Sequence, residues 1–545
     1  MIGAGRIPRG VKAPALWVLV AVHGMTFAAA CGEQRPSVHV GRPATIVSTT
    51  GGHREASNAV GMQDGFALDL YRRLGGAPAD GNLFFSPYSV YAVLAMTAEG
   101  ARGETADEIG RALHLPAALR QQGPGAEARP WNFAPVHAGI GRMEAELERG
   151  AGSVAGVEPR IDFVRRALAE ADDSLRHAIE HHDWKAAQAQ RNLAQPLAAE
   201  LNILLPQANR YEIRVAHALW SDARYAFASE FVRTVAAHYG THVVRTVDYR
   251  RNAERARVQI NAWVAEHTAQ RIRDLLPSGS VIRSTRLVLA DAIWFKGDWV
   301  EPFDSSRTQQ APFRLARGRT TRVPLMNRLL IGARYAAFRA DGSMFPTPRE
   351  IGYDAPSDPA DPKLYPGVGG FQLAELPYKG ATLSMVILLP YSPDGLEVIE
   401  RRLDAKRLTA WIGGLEPRPT NVFLPRFRLE QGRDLRTPLE AMGMVRAFAD
   451  PATGLGAQFD GMTASTNPDD AVFVGAVWQK AFLEVNEKGT EAAAATVGML
   501  VGSSQGKPKR TGPFVPMFRA DRPFLFLIRE RSSGAILFMG RLQQP

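Results

Sequence analysis

The sequence predicts an α+β fold, and three observations carry that prediction. Helical periodicity dominates the chain before Tyr211, and strand-like apolar runs dominate from Tyr211 onward. No regular alternation of strand and helix appears that would build a parallel sheet from crossover units. Apolar residues are 45% of the 545-residue chain and charged residues 22%, an ordinary globular composition whose core can be stabilised without cross-links. The single cysteine, Cys31, rules out an internal disulfide.

The elements follow in order. Arg6, Arg9 and Lys12 precede the apolar stretch Ala15–Val22 and the small residues Ala28, Ala29 and Ala30, which together read as an export signal over residues 1–30. The apolar run is too short to span a bilayer comfortably. Small residues directly before Cys31 resemble a bacterial lipobox, which would make Cys31 the site of lipid attachment; an ordinary signal-peptidase site beside a fortuitous cysteine is the alternative. Residues 31–58, rich in Gly, Ser, Thr and Arg, read as a flexible tether to a folded domain over 59–545. Met62–Leu74 is an amphipathic helix carried by Phe66, Leu70 and Leu74, and Asn82–Pro116 starts as an apolar strand and continues as two helical runs.

A helical insertion is expected over about 117–210, where the Ala-rich, charged stretch Ile161–Leu205 forms one or two helices with Phe163, Leu168 and Leu175 on the apolar side. It contains His177 and His181 around Glu180 in a zinc-protease-like H-x-x-E-H spacing, read as a solvated helix face rather than a metal site. The runs RVAHALW, TRLVLADAIWF, FQLAELPY, TLSMVILLP, NVFLPRFRL and RPFLFLIRE are strands bounded by Pro and Gly. The Pro-, Asp- and Gly-rich segment at about 340–370 is a loop insertion on the surface. The net charge of +10 comes without a long Lys/Arg cluster, so nucleic acid is not expected as a partner. No G-x-S-x-G elbow, phosphate-binding loop or C-x-x-C pair appears, no cofactor or metal is implied, and an enzyme is not expected.

Motifs spread over the chain resemble the serpin family. NLFFSPYS and the following G-x-x-G-x-T (from Asn82), INAWVAEHT (from Ile260), FKGDWVEPF (Phe295–Phe303), then VPLM, ELPYKG, LLP, LPRF and FDGM stand in family order, and Asp521–Leu542 resembles the closing hairpin. The resemblance implies three β-sheets, about eight to nine helices, an exposed reactive-centre loop and a monomeric inhibitor whose partner is a target protease, most simply of the serine class and secondarily of the cysteine class. It implies a metastable fold: the protease cuts the loop and is acylated, and the freed segment inserts into the central sheet. A non-inhibitory binding or scaffold protein of the same fold is the alternative.

The loop hinge lies in Asn486–Gly498, with Glu487, Gly489, Thr490, Glu491, Ala492, Ala493, Ala494, Ala495 and Thr496 as its candidate residues. Ala-richness alone reads as a helix or a flexible linker. In an extended strand, however, Thr490, Ala492, Ala494, Thr496 and Gly498 share one face, small and uncharged, so this face can enter a sheet without burying a charge. By resemblance, Glu487 at the loop base pairs with Arg426, where the family places a lysine, and Trp299 caps the top of the sheet. Ser86 and Ser89 fit the family's serines under the sheet, whereas Asp291 and Gln479 replace its usual Asn and His. An Asp can still accept a hydrogen bond from the Gln amide.

The loop is longer than the family's. Counting from the hinge places the scissile bond near Ser503–Ser504, while protease chemistry points to the trypsin-type sites Lys507, Lys509 and Arg510, of which Lys507 is disfavoured by Pro508 and Arg510–Thr511 is preferred; Met499 and Leu500 are weaker candidates. A strand from Thr490 to Ser503 spans roughly 46 Å and one to Arg510 roughly 69 Å, so the later cut would leave slack after insertion. The export signal places the protein in the cell envelope as a lipoprotein, or in the periplasm or outside the cell; lipidation would make the membrane a further partner.

Overall fold

The computed structural model describes residues 50–545 apart from 76–80, 151–156, 182, 205–210, 347–349, 353–369, 452–455, 464–466, 468–470, 490–510 and 514. The N-terminal part is helical around one short strand: α1 (Thr50–Gly75), β1 (Leu83–Phe85), α2 (Pro87–Gly100), α3 (Gly103–Ala112), α4 (Ala134–Gly150), α5 (Val157–Glu180) and α6 (Trp184–Leu204). Next come β2 (Tyr211–Asp222), α7 (Ser229–Tyr239), β3 (Val244–Val247), α8 (Tyr249–His267), β4 (Leu287–Gly297), β5 (Gln309–Arg314), β6 (Thr320–Leu330), β7 (Arg334–Phe338), β8 (Met344–Phe345) and β9 (Glu350–Gly352). They are followed by β10 (Phe371–Pro377), β11 (Leu383–Pro390), α9 (Leu396–Arg402), α10 (Ala405–Gly413), β12 (Glu416–Pro417), β13 (Thr420–Pro425), β14 (Phe427–Asp434) and α11 (Arg436–Ala441). The chain closes with β15 (Val474–Val485), β16 (Thr511–Pro513), β17 (Met517–Arg519), β18 (Phe524–Glu530) and β19 (Ile536–Leu542).

Three sheets organise these strands. The eight-stranded sheet runs β1-β19-β18-β11-β10-β7-β12 with β8 also on β7, the four-stranded sheet runs β17-β13-β6-β5, and the five-stranded sheet runs β14-β15-β4-β2-β3. A separate two-stranded ribbon joins β16 to β9. In the five-stranded sheet β15 and β4 are parallel neighbours, each flanked outward by an antiparallel strand.

Strand alternation gives this sheet two buried faces. Val288, Ala290, Ala292 and Trp294 of β4 pack with Ile260, Trp263 and Val264 of α8, while Leu287, Leu289, Ile293 and Phe295 join the main core that contains α2. Helix α2 is buried nearly all round, as expected of a helix without a polar face. Ser86 caps it by accepting from the Ser89 amide at 3.2 Å, and Pro87 occupies its first turn.

Several expectations are corrected. Helix α1 starts at Thr50, so the tether expected to reach residue 58 is helical from Thr50; once Phe66 and Leu70 bury the helix, extension through Arg54, Glu55 and Ala56 is cheap compared with nucleation. Eleven α-helices are found among the described residues instead of eight to nine, because the insertion supplies α5 and α6. Phe163 is 51% exposed, with the Arg160 guanidinium over its ring; Ile161, Val164, Leu168 and Ala171 make the buried stripe of α5 instead. The run NVFLPRFRL is two strands, not one: the chain leaves the four-stranded sheet at Pro425 and enters the five-stranded sheet at Phe427. The loop insertion is not wholly irregular, since β8 pairs with β7 and β9 pairs with β16.

Candidate functional site

The loop base forms where β15 ends. Asn486 and Gly489 close a tight turn, each amide donating to the other's carbonyl at 3.2 Å. Gly489 has φ +111°, and a Cβ there would collide with the Gly297 carbonyl oxygen and the Trp299 amide nitrogen, so only glycine fits against β4's end. Trp299 locks the turn from the other side. Its amide donates to the Lys488 carbonyl at 3.0 Å and its indole N–H to the Asn486 carbonyl at 3.1 Å, while its ring stacks on Tyr378 at 4.5 Å.

Glu487 is buried in the same turn. Arg426 Nε lies 2.7 Å from both of its carboxylate oxygens, and the Thr308 hydroxyl donates to one of them. Burial by itself would raise this carboxyl, but the hydrogen bonds from Arg426 and Thr308 outweigh it and hold the group below the ordinary carboxylate range. The Phe303 amide adds a 2.7 Å bond to the Glu487 carbonyl. Asp298 and Lys379 pair at 2.6 Å beside Trp299.

A second polar cluster sits midway down the sheet. Gln479 of β15 lies directly opposite Asp291 of β4, and its Nε2 donates to Asp291 Oδ2 and to the Ser86 carbonyl, both at 2.7 Å. The Ser86 amide donates back to Gln479 Oε1 at 3.2 Å, the Ser89 hydroxyl donates to Asp291 Oδ1, and the Ser86 hydroxyl donates to the Leu537 carbonyl at 2.6 Å. Asp291 is wholly buried, which pushes its carboxyl up to about 7 despite the hydrogen bonds from Ser89 and Gln479. The pair therefore joins the two parallel strands to the N-terminus of α2. Next in the same row, His217 of β2 faces Asp291 across the ladder, with its Nε2 3.3 Å from Glu144 Oε1 of α4.

Thus Glu487, Arg426, Trp299 and Gly489 come together at the strand ends, and Ser86, Ser89, Asp291 and Gln479 at mid-sheet. Thr490, Glu491, Ala492, Ala493, Ala494, Ala495, Thr496, Ser503, Ser504, Arg510 and Cys31 lie outside the described residues; Thr511 begins β16. Sequence reasoning missed Thr308, Phe303, Asp298, Tyr378, Lys379, His217 and Glu144. Asp298 and Phe303 stood inside FKGDWVEPF and Tyr378 and Lys379 inside ELPYKG, so a signal was present without a role attached. His177 and His181 are exposed with rings 4.1 Å apart, and among the described residues no three His, Cys, Asp or Glu side chains are grouped to hold a metal ion.

Both clusters hold strands and turns together. The family model described as Serpin (serine protease inhibitor) matches residues 62–342 and 361–545. The chain belongs to the serpin family. This serpin is 32% identical over 486 residues to the leukocyte elastase inhibitor of Sus scrofa, covering 88% of this chain and 97% of that protein. It is 31% identical over 488 residues to plasminogen activator inhibitor 2 of Homo sapiens, at 88% and 98% coverage. Among solved structures, uncleaved ovalbumin superposes with a TM-score of 0.62 at 23% identity, covering 89% of this serpin and all of ovalbumin. Human thyroxine-binding globulin, solved with its ligand, also gives 0.62, at 22% identity and coverage of 90% and 99%. The unmatched stretch 343–360 of the serpin falls in the loop insertion.

Proposed function

We propose that this serpin is an exported suicide inhibitor of serine proteases, with cysteine proteases as a secondary class. The observation that carries the reading is the seam of the five-stranded sheet: β15 and β4 are parallel and directly paired, and the chain leaves β15 through a tight turn at Asn486–Gly489. A strand that doubles back from that turn would run antiparallel to both and could hydrogen-bond on both edges. The small residues from Thr490 to Thr496 suit such a strand. The protease's serine attacks the bait carbonyl, the amine end departs with the C-terminal segment, and insertion carries the acylated protease away before water can release it. Relatives named as protease inhibitors support the same reading.

Incubation with trypsin-, elastase-, chymotrypsin- and papain-like proteases is expected to give an SDS-stable complex with at least one serine protease. Cleavage without a complex throughout the panel overturns the proposal. Thr490→Arg is expected to lower the ratio of trapped to released protease about tenfold or more, because a charged head would have to enter the sheet. The second reading, a binding or scaffold protein, draws on the solved thyroxine-binding globulin as a serpin-fold neighbour. It would be favoured by cleavage without trapping.

Export and the envelope site belong to the proposal as well. Acylated Cys31 would be found by mass spectrometry of the mature N-terminus, and Cys31→Ala would move the protein from the membrane to the soluble fraction.

A further inference from the structure

Three stretches far apart in the chain bring five arginines to one groove of about 990 Å³. Arg224 follows β2, Arg250 and Arg251 open α8, and Arg283 and Arg286 precede β4. The acids of the groove are Asp222, Asp248 and Asp450, so five arginines against three aspartates leave an excess of two positive charges. Asp222 is buried and already satisfied. Its Oδ1 accepts from Arg224 Nε at 2.6 Å and from the Arg224 amide at 3.1 Å, and its Oδ2 from the Tyr249 amide at 3.1 Å. Asp248 caps α8 by accepting from the Arg251 amide at 2.9 Å and lies 3.5 Å from Arg251 Nε. Arg250 and Arg283 are exposed and, among the described residues, make no hydrogen bond or ion pair.

Arginines that merely solvate a surface are free to splay apart, but two of these are fixed. The guanidinium carbons of Arg224 and Arg286 lie 5.2 and 5.5 Å from the ring centroid of Tyr225. Arg286 also lies 5.2 Å from the Phe473 centroid and donates to the Ala471 carbonyl. Ring faces consume no N–H donors, so each fixed guanidinium keeps most of its donors for another acceptor. Held in one recess, like charges repel, and an anion seated among them reverses the sign of that interaction. The planar fork of a guanidinium matches the oxygens of a phosphate two at a time. From this convergence we infer that the groove is a binding site for a soluble anion carrying two or more closely spaced phosphate groups. Arg224 and Arg286 position it, and Arg250, Arg251 and Arg283 supply the remaining charge. A soluble anion reaches the recessed pair more deeply than the headgroups of a bilayer surface can.

Isothermal titration of the full chain with inositol hexakisphosphate tests the site, because that probe carries closely spaced phosphates and no lipid tail. Arg250→Gln with Arg283→Gln removes the two unpartnered guanidinia of the groove. Arg142→Gln with Arg319→Gln removes the same charge from α4 and from the turn between β5 and β6, outside the groove. In about 0.1 M salt, the native chain and the second variant are expected to bind one probe with affinities within about twofold, and the groove variant about tenfold or more weakly. Thermal midpoints without probe are expected to agree among the three chains. Should the double groove variant unfold, Arg251→Gln, at a side chain 90% exposed, replaces it, with an expected loss of about threefold. Inorganic phosphate is expected to bind about a hundredfold more weakly than the probe. Absence of probe binding to the native chain overturns the inference, and so does an equal loss in the groove and control variants. Equal affinity for phosphate and probe would overturn the assigned ligand class. Sedimentation with anionic phospholipid vesicles, without binding of the soluble probe, would give the groove to a membrane and overturn it too. None of these readouts depends on protease trapping.

Discussion

Asp291 occupies the core face of β4 between Leu289 and Ile293, where strand alternation calls for an apolar side chain and burial lifts its carboxyl to about 7. The folded carboxyl thus keeps its proton at pH values where the unfolded one, ordinarily near 3.8, has lost it. Its stabilising contribution is full below about pH 4, falls as pH rises through about 7, and is then gone; the span is on the order of 4 kcal/mol. Two neighbours titrate too. Burial lifts Glu144 to about 8, which has the same sign, and burial lowers His217 to about 3, which acts in the opposite sense below pH 6.5. Comparison with Asp291→Asn cancels both: the thermal midpoint of the variant is expected to gain on that of the native chain as pH rises from 5 to 8. A constant difference between the two curves would remove Asp291 from the pH dependence. Glu487 has the reverse sign, because its carboxyl is lowered, and its contribution is lost as pH falls. Arg426→Met is expected to cost about 1–2 kcal/mol at pH 7, discounted for the half-exposed guanidinium, and less at pH 4. Thermal unfolding at the two pH values measures it.

At the scale of elements, the break between β13 and β14 explains how Arg426 reaches Glu487. Pro425 lacks an amide hydrogen, the Arg426 amide turns to the Pro324 carbonyl at 2.9 Å, and Phe427 then pairs with Val485, one residue from the turn that holds Glu487. Periodicity could not reveal this, because both halves of NVFLPRFRL alternate as strands and the switch of sheet is a matter of which neighbours are present. The helical insertion behaves differently. Val157 and Ile161 of α5 pack with Leu201 and Leu204 of α6 in a cluster separate from the two sheet-bound clusters, and Arg160 pairs with Glu200 at 2.6 Å on the surface. Replacing 151–210 by a Gly/Ser linker is therefore expected to shift the thermal midpoint by no more than about 1 °C, the change that roughly 1 kcal/mol produces in a chain of this size. A loss of cooperative unfolding would show instead that α5 and α6 support the central sheet.

At the scale of the whole molecule, the proposed mechanism requires a native state that is not the most stable arrangement of the chain. The seam between β15 and β4 has to part, which means separating Gln479 from Asp291 and exchanging their strand pairing for two new edges. Scanning calorimetry of intact and loop-cleaved protein tests this. A gain of about 5 kcal/mol on cleavage raises the midpoint by about 5 °C in a protein of this size. An unchanged midpoint would mean that the cut loop does not enter the sheet.

The sequence by itself determined the α+β class, the family, the small-residue character of Thr490–Gly498, and the residues of the two polar groups built on Glu487 and on Asp291, because periodicity, composition and ordered motifs are local properties of the chain. Only the tertiary structure decided that NVFLPRFRL divides between two sheets, that Phe163 faces solvent while Ile161 does not, that His217 and Glu144 share the row of Asp291, and that Gly352 meets Thr511. Each of these depends on residues far apart in the chain, and no local pattern specifies which distant edge a strand will find. The α+β fold therefore stood in the sequence as a class, and the pairing of β15 with β4, on which the function is argued, came from the assembled sheet.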